Sequence, residues 1–182
     1  MNILYIHTHD SGRFTSPYNS GVNMPALKEF SKNATVFDNA YCVGPTCSPS
    51  RVGLLFGRYP HSCGMMGLAH RGFEPEDFSQ HLVQFLGDNG YETALCGIQH
   101  EAHDENTIGY HKILHTQIKD HGGDNENYSQ YDYNNADLAA EYISIPKEKP
   151  FFLSFGMFST HRPFPSDQEP DYQITLPTCV PD

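Results

Sequence analysis

Apolar residues in this chain gather into short blocks of two periods, and the order of those blocks predicts the architecture. Ile3-Leu4-Tyr5-Ile6 is a compact apolar run between polar neighbours, and Glu92 to Cys96 is a second. The aromatic-rich stretch from Phe151 to Met157 is a third. Runs of this length, bounded by glycine and polar residues, predict buried strands of a parallel sheet. Thr35 to Tyr41 predicts a further strand or extended segment. Helical spacing fills the intervals. A helix is expected near 23–33, opened by Asn23-Met24-Pro25 and carrying Leu27 and Phe30. A second is expected with Ser48 as N-cap, Pro49 in the first helical position, and Val52, Leu54, Leu55 and Phe56 on its buried side. Phe78, Leu82, Phe85 and Leu86 share one face of 76–89, which Asn89-Gly90 would end. Asn135 to Ile145 reads as the helix before the last strand. This alternation implies an α/β fold, a mostly parallel sheet flanked by helices, as one domain over residues 1–182. The polar segment 101–133 reads as a long surface excursion, and the Pro-rich tail 163–182 has no regular period.

Composition narrows the partners. With 182 residues and 38% hydrophobic content the chain can bury one core. A formal charge of −11 argues against nonspecific binding to nucleic acid or to anionic membrane. No stretch is long and apolar enough to span a bilayer. An anionic ligand would therefore have to be drawn in by local positive charge. The five cysteines (42, 47, 63, 96, 179) are odd in number and lack zinc-type spacing, so neither a disulfide framework nor a zinc site is expected. The first strand starts at Asn2 with no signal peptide ahead of it, which reads as cytoplasmic as written. A removed leader would make the protein periplasmic or secreted.

Four short strings carry candidate chemistry. Cys47-Ser48-Pro49-Ser50-Arg51 places a thiol where a helix begins, facing unpaired backbone N–H groups and the positive end of the helix dipole, a setting suited to a nucleophile that meets an anion. Arg51 lies one turn on, so its guanidinium can return to the same end. By itself a Cys-x-Pro string reads as a buried structural cysteine. His9 and Asp10 follow the first strand at its carboxyl end, where ligands gather in parallel sheets. His100 follows the 92–96 strand, and His161 emerges past the 151–157 strand. An imidazole there can exchange a proton near neutral pH or cap a strand.

Together these strings resemble the type I sulfatases of the alkaline phosphatase superfamily. The string Cys-Ser-Pro-Ser-Arg with Leu-Leu-Phe-Gly, Pro60-His61 and Gly64-Met65 is similar to their signature. The stretches "HDSGRF", "GM.GL" and "FF…HR" resemble the heparan N-sulfatase branch. The resemblance implies that Cys47 is oxidised to formylglycine by a maturation enzyme and, as a hydrate, attacks sulfur. It implies that Arg51 stabilises the developing charge, and that His100 and His161 bind sulfate or protonate the leaving group. A divalent metal, calcium, would be held by Asp10 and residue 47. Sulfatases carry two adjacent aspartates at the first strand, and here His9 replaces the first of them. His9 is left as a sulfate hydrogen-bonder, a ligand of a different metal, or a residue behind the ligands. In the family's Gly-Lys-x-His string, Gly97 and His100 match and Ile98 stands at the lysine. The implied activity is hydrolysis of a sulfate ester or sulfamate, on a sulfated glycan or small molecule. A phosphonate or phosphate ester hydrolase of the same superfamily, or a noncatalytic remnant, are the alternatives. The resemblance covers only the N-terminal part of a sulfatase, so a fold incomplete at the C-terminus, inactive by itself, is expected.

Overall fold

β-branched, aromatic and leucine-rich runs form strands here because their side chains fill both faces of a pleated sheet. The computed structural model describes residues 1–13, 15–18, 22–115 and 128–162. Its sheet contains β1 (Ile3–His7), β2 (Glu92–Gly97), β3 (Lys112–Ile113) and β4 (Phe151–Gly156), in the order β1-β4-β2-β3. All the pairings are parallel. The helices are α1 (Pro25–Ser31), α2 (Cys47–Phe56), α3 (Leu82–Asp88) and α4 (Tyr128–Ser144).

The alternation of β4 divides the core. Phe151, Leu153 and Phe155 pack with Ala94, Cys96, Ala139 and Tyr142 on the α4 side. Phe152 packs with Val83 and Leu86 of α3, with Ile3, Tyr5 and Tyr110 around them. The central strands β2 and β4 are buried almost throughout, as their apolar runs predict. The register levels their ends: His7 lies opposite Gly156, and Gly156 opposite Gly97. Backbone crowding there requires glycine. A Cβ on Gly97 would sit 2.0 Å from the Gly156 carbonyl oxygen, and one on Gly156 would sit 1.9 Å from that of Ile98.

Several expectations need correction. Among the described residues β1 is an edge strand rather than a strand buried on both faces: Leu4 and Ile6 are exposed while Ile3, Tyr5 and His7 are half-buried. Thr35–Tyr41 forms no strand; it is exposed and pairs with nothing in the sheet. The first turn of α2 starts at Cys47 with Thr46 as N-cap, so Pro49 falls in the third helical position, where its missing N–H is still harmless. Ser48 is not the cap; its hydroxyl accepts the Ala69 N–H at 3.1 Å and pins the following loop. The helix expected over 76–89 is shorter, because His81 caps it at Leu82, and Phe85 turns to solvent while Phe78 is buried elsewhere with Ile108. The excursion over 101–133 carries β3 and the start of α4, with 116–127 outside the described residues. The tail 163–182 also lies outside them.

Burial ranks the aromatic positions. Phe152→Ala should cost about 3–5 kcal/mol, because it removes a fully buried ring between the sheet and α3. Phe85→Ala should cost less than about 1 kcal/mol, since that ring is 60% exposed. Urea unfolding of the two variants checks this, and comparable losses would place Phe85 back in the core.

Candidate functional site

The carboxyl ends of β1, β4 and β2 deliver imidazoles to one place. The His9 ring lies 4.6 Å from that of His100 and 5.1 Å from that of His161, centroid to centroid, in edge-on contact. Phe158 completes the cluster, stacked on His161 at 4.8 Å and edge-on to His9 at 5.6 Å. Backbone geometry makes this convergence possible. The His9 N–H donates to the Thr160 hydroxyl at 3.0 Å, tying the β1 and β4 loops together. The Asp132 carboxylate of α4 accepts the N–H groups of Phe158 and Ser159, both at 2.8 Å, and so shapes the turn that presents His161. His100 and Asp10 both adopt positive φ, +63° and +49°, a left-handed conformation that is costly for residues with a Cβ.

Arg51 enters the same place from α2. Arg51 is 7% exposed, and its guanidinium donates to His7 Nδ1 and, at 3.2 Å, to the Thr8 carbonyl. Burial lowers its pKa, opposed by the charges of Tyr5, Glu101, Cys47 and Asp10. Cys47, half-buried at the first position of α2, and Asp10, exposed, thus both act electrostatically on the guanidinium.

The structure therefore gathers His9, His100, His161 and Arg51, and sets Cys47 and Asp10 within electrostatic reach of Arg51. Sequence reasoning passed over His7, although it ends the first strand two residues before His9. Because the guanidinium only donates, His7 Nδ1 must accept, which leaves the Nε2 hydrogen facing the Ser154 hydroxyl at 3.3 Å. The buried pair His81 and Glu101 was passed over too; nothing in periodicity or motif distinguishes it.

Burial and nearby positive charge keep the His7 and His9 rings neutral. Burial first, then the Arg51 charge and that of His100, lowers His7 to about 3. The same causes, joined by His161 and His7, lower His9 to about 2. His9 is 1% exposed, and both of its ring nitrogens are buried without a hydrogen-bond partner.

Calcium does not fit these residues. It takes oxygen ligands, six to eight of them by rule of thumb, whereas the side chain beside Asp10 is an imidazole. Among the described residues no group of three or more His, Cys, Asp or Glu side chains could hold a metal ion. Two surface hollows, about 370 and 530 Å³, lie along the C-terminal half of α2 and residues 76–88, and include none of the clustered side chains.

A parallel sheet whose loops gather a buried arginine, three histidines and a helix-borne cysteine defines an α/β protein with a polar cluster at the carboxyl ends of its strands. The family model for Sulfatase matches residues 2–179, and the chain belongs to that family. Human N-sulphoglucosamine sulphohydrolase is 27% identical over 167 residues, covering 88% of this chain and 32% of that protein. An ulvan-active sulfatase of Formosa agariphila is 33% identical over 76 residues, 41% of this chain and 13% of its own. Among solved structures, one in complex with its substrate D-glucosamine-2-N,6-O-disulfate superposes with a TM-score of 0.71 at 20% identity, over 88% of this chain and 35% of its own. A 2-O GAG sulfatase gives 0.69 at 23% identity, with the same coverage. The chain spans about a third of the length of the human relative and of these two solved structures. Sulfatases in general depend on formylglycine and a divalent metal. Among the described residues no helix is long and apolar enough to cross a membrane.

The depressed histidines predict acid sensitivity. The folded rings stay neutral while histidines of the unfolded chain protonate near pH 6.5, so below that pH the unfolded state binds more protons. Stability should therefore be full above about pH 6.5 and fall as pH drops toward 3, by up to about 1.4 kcal/mol per pH unit for each ring. Urea midpoints from pH 7 to 4 measure the slope, and His9→Gln should flatten it. The same slope in that variant would show that ring 9 is protonated in the folded state.

Proposed function

We propose that this chain is the N-terminal part of a sulfatase catalytic domain, hydrolysing a sulfate ester or sulfamate on a sulfated glycan through a formylglycine made from Cys47. The observation that carries the reading is the joining of the Cys47–Arg51 helix start to His9, His100 and His161 through the Arg51 contacts at the end of β1. The relatives support a sulfated sugar as substrate class. One similar structure holds D-glucosamine-2-N,6-O-disulfate, and the human relative is named for N-sulphoglucosamine.

Cys47 sits at the first residue of α2, where free backbone N–H groups and the helix dipole favour negative charge on the group attached to it. As a hydrate, formylglycine supplies the oxygen that displaces the alcohol or amine from sulfur. Arg51 faces the sulfate oxygens and stabilises the charge that builds on them. His161, which donates its Nδ1 hydrogen to the Arg162 carbonyl, presents its remaining nitrogen as a proton donor to the leaving atom once protonated. His100 is the other candidate for that proton, and neutral His9 donates the hydrogen of one of its unpartnered ring nitrogens to a sulfate oxygen. Calcium, with Asp10 as one ligand, needs oxygen donors beyond the described residues. A maturation enzyme must act on Cys47 before any of this operates.

Mass spectrometry of the protein from its own source should find formylglycine at position 47, and in the full-length enzyme Cys47→Ala or Cys47→Ser should lower turnover by roughly a thousandfold or more while folding persists. An intact thiol in the native protein, or near-parental turnover in either variant, overturns the reading. If His161 is the acid, His161→Ala should slow poor leaving groups far more than activated aryl esters. Equal losses across leaving groups would assign His161 to sulfate positioning instead.

A further inference from the structure

Glu101, next in sequence to His100, is a carboxylate with no task in the steps above, yet it is 1% exposed. Its Oε2 lies 2.6 Å from Nε2 of His81, itself fully buried. The other nitrogen of that ring, Nδ1, accepts the Val83 N–H at 3.1 Å and caps α3. Because Nδ1 is engaged as an acceptor, the hydrogen sits on Nε2 and is donated to Glu101. The helix cap thus fixes the tautomer that grips the carboxylate. Phe56 and Phe78 pack on the His81 ring, at 5.2 and 6.1 Å between centroids, and hold it in place. On the loop side, the side-chain Oε1 of Gln99 accepts the N–H groups of Glu101 and Ala102, and its Nε2 donates to the Ala102 carbonyl at 2.8 Å.

What this clamp holds apart is as telling as what it joins. The negative charge of Glu101 is felt by Arg51. Glu101 pairs with His81, whereas the Arg51 guanidinium hydrogen-bonds to His7 and Thr8 and makes no direct ion pair with the carboxylate. A buried carboxylate free to move would be drawn strongly to a buried guanidinium, since little water screens them. A guanidinium so neutralised could no longer meet an anionic group with its full charge.

We propose that the His81–Glu101 pair is a latch that holds this carboxylate off Arg51, so that the guanidinium stays available to a sulfate group. His81 and Glu101 are then positioning residues: neither touches the ligand. The inference rests on the reading of Arg51 as the cation that faces sulfate. It also accounts for a costly arrangement, a buried acid beside a residue with strained backbone, that neither packing nor the family's motifs require.

The test uses the chain with inorganic sulfate as probe, and nitrogen NMR of the Arg51 guanidinium as a second readout. His81→Phe keeps a ring between Phe56 and Phe78 and removes the donor. It should convert the Arg51 signals to those of a fixed ion pair and weaken sulfate binding roughly ten- to hundredfold. Adding Glu101→Gln to that variant should restore both readouts toward the parent, which a merely structural role for His81 would not allow. Glu101→Gln alone keeps an acceptor for His81, and should leave the Arg51 signals unchanged and bind sulfate at least as well as the parent. Unchanged Arg51 signals in folded His81→Phe, or no rescue in the double variant, overturns the latch. If His81→Phe does not fold, the Glu101→Gln variant decides: weakened sulfate binding with altered Arg51 signals overturns it. If the parent binds no sulfate, the reading of Arg51 as a sulfate-facing cation fails, and the Arg51 signals still report whether the latch exists.

Discussion

Everything at the site depends on three parallel strands ending level with one another. His7, Gly156 and Gly97 occupy one row of the sheet, and the chain leaves that row in three places at once. The row is closed by backbone bonds beyond the strands: the Ile98 N–H donates to the Gly156 carbonyl at 3.0 Å, and the Met157 N–H to the His7 carbonyl at 2.9 Å. Those bonds bring the backbones too close for any Cβ at 97 or 156. Parallel pairing makes such convergence possible, because all carboxyl ends then point the same way and their loops must share one edge. A shift of β1 by one residue would turn His7 away from Ser154 and break its alignment with Arg51.

A buried guanidinium is the second constraint. Removing that charge from water is costly, and the surroundings of Arg51 meet the cost with acceptors instead of a contact counterion: an imidazole nitrogen and a backbone carbonyl. The neutrality of His7 follows directly, since a protonated ring could not accept from Arg51. His9 stays neutral for the related reason that it is buried in the field of the same cation. His7 and His9 thus belong to the hydrogen-bonding and low-dielectric surroundings of one arginine, a buried positive charge in a chain of net −11.

Much of this was legible in the sequence. The strands at 3–6, 92–96 and 151–157 announce themselves by apolar runs, and the start of α2 by Cys-Ser-Pro-Ser-Arg. Loop residues one to four positions past those strands were the natural candidates, and His9, His100 and His161 do meet. What the pattern could not carry was pairing across long separations. Thr35–Tyr41 has the composition of a strand but is exposed and pairs with none of the four strands. Phe78 and Phe85 share a helical face on paper, yet His81 caps the helix between them and sends the two rings in different directions. His7 escaped notice as the last residue of a strand. The His81–Glu101 pair spans 20 residues with no motif to mark it. Capping choices and buried polar pairs are settled by tertiary contact, and local periodicity is blind to them.

The two departures from the sulfatase pattern acquire a common physical cause once Phe158 is considered. The family pattern has an acid at position 9 and a lysine at position 98; here an imidazole and an isoleucine stand in their places. Ile98 is buried against Phe158 and Tyr128, and the His9 ring lies edge-on to the same phenylalanine. An aspartate at 9 would bury a carboxylate against this aromatic wall, and a lysine at 98 would bury an ammonium in it, each at a penalty of several kcal/mol if left alone. The two charges are opposite, so losing both leaves the net charge of the pattern unchanged. Replacing only one would strand the other in an apolar wall. Among the described residues the two positions thus present an imidazole and an isoleucine to Phe158. Beside this wall the Arg51 guanidinium keeps a charge met only by the uncharged acceptors His7 Nδ1 and the Thr8 carbonyl, so its state depends on what holds Glu101 in its own pair with His81.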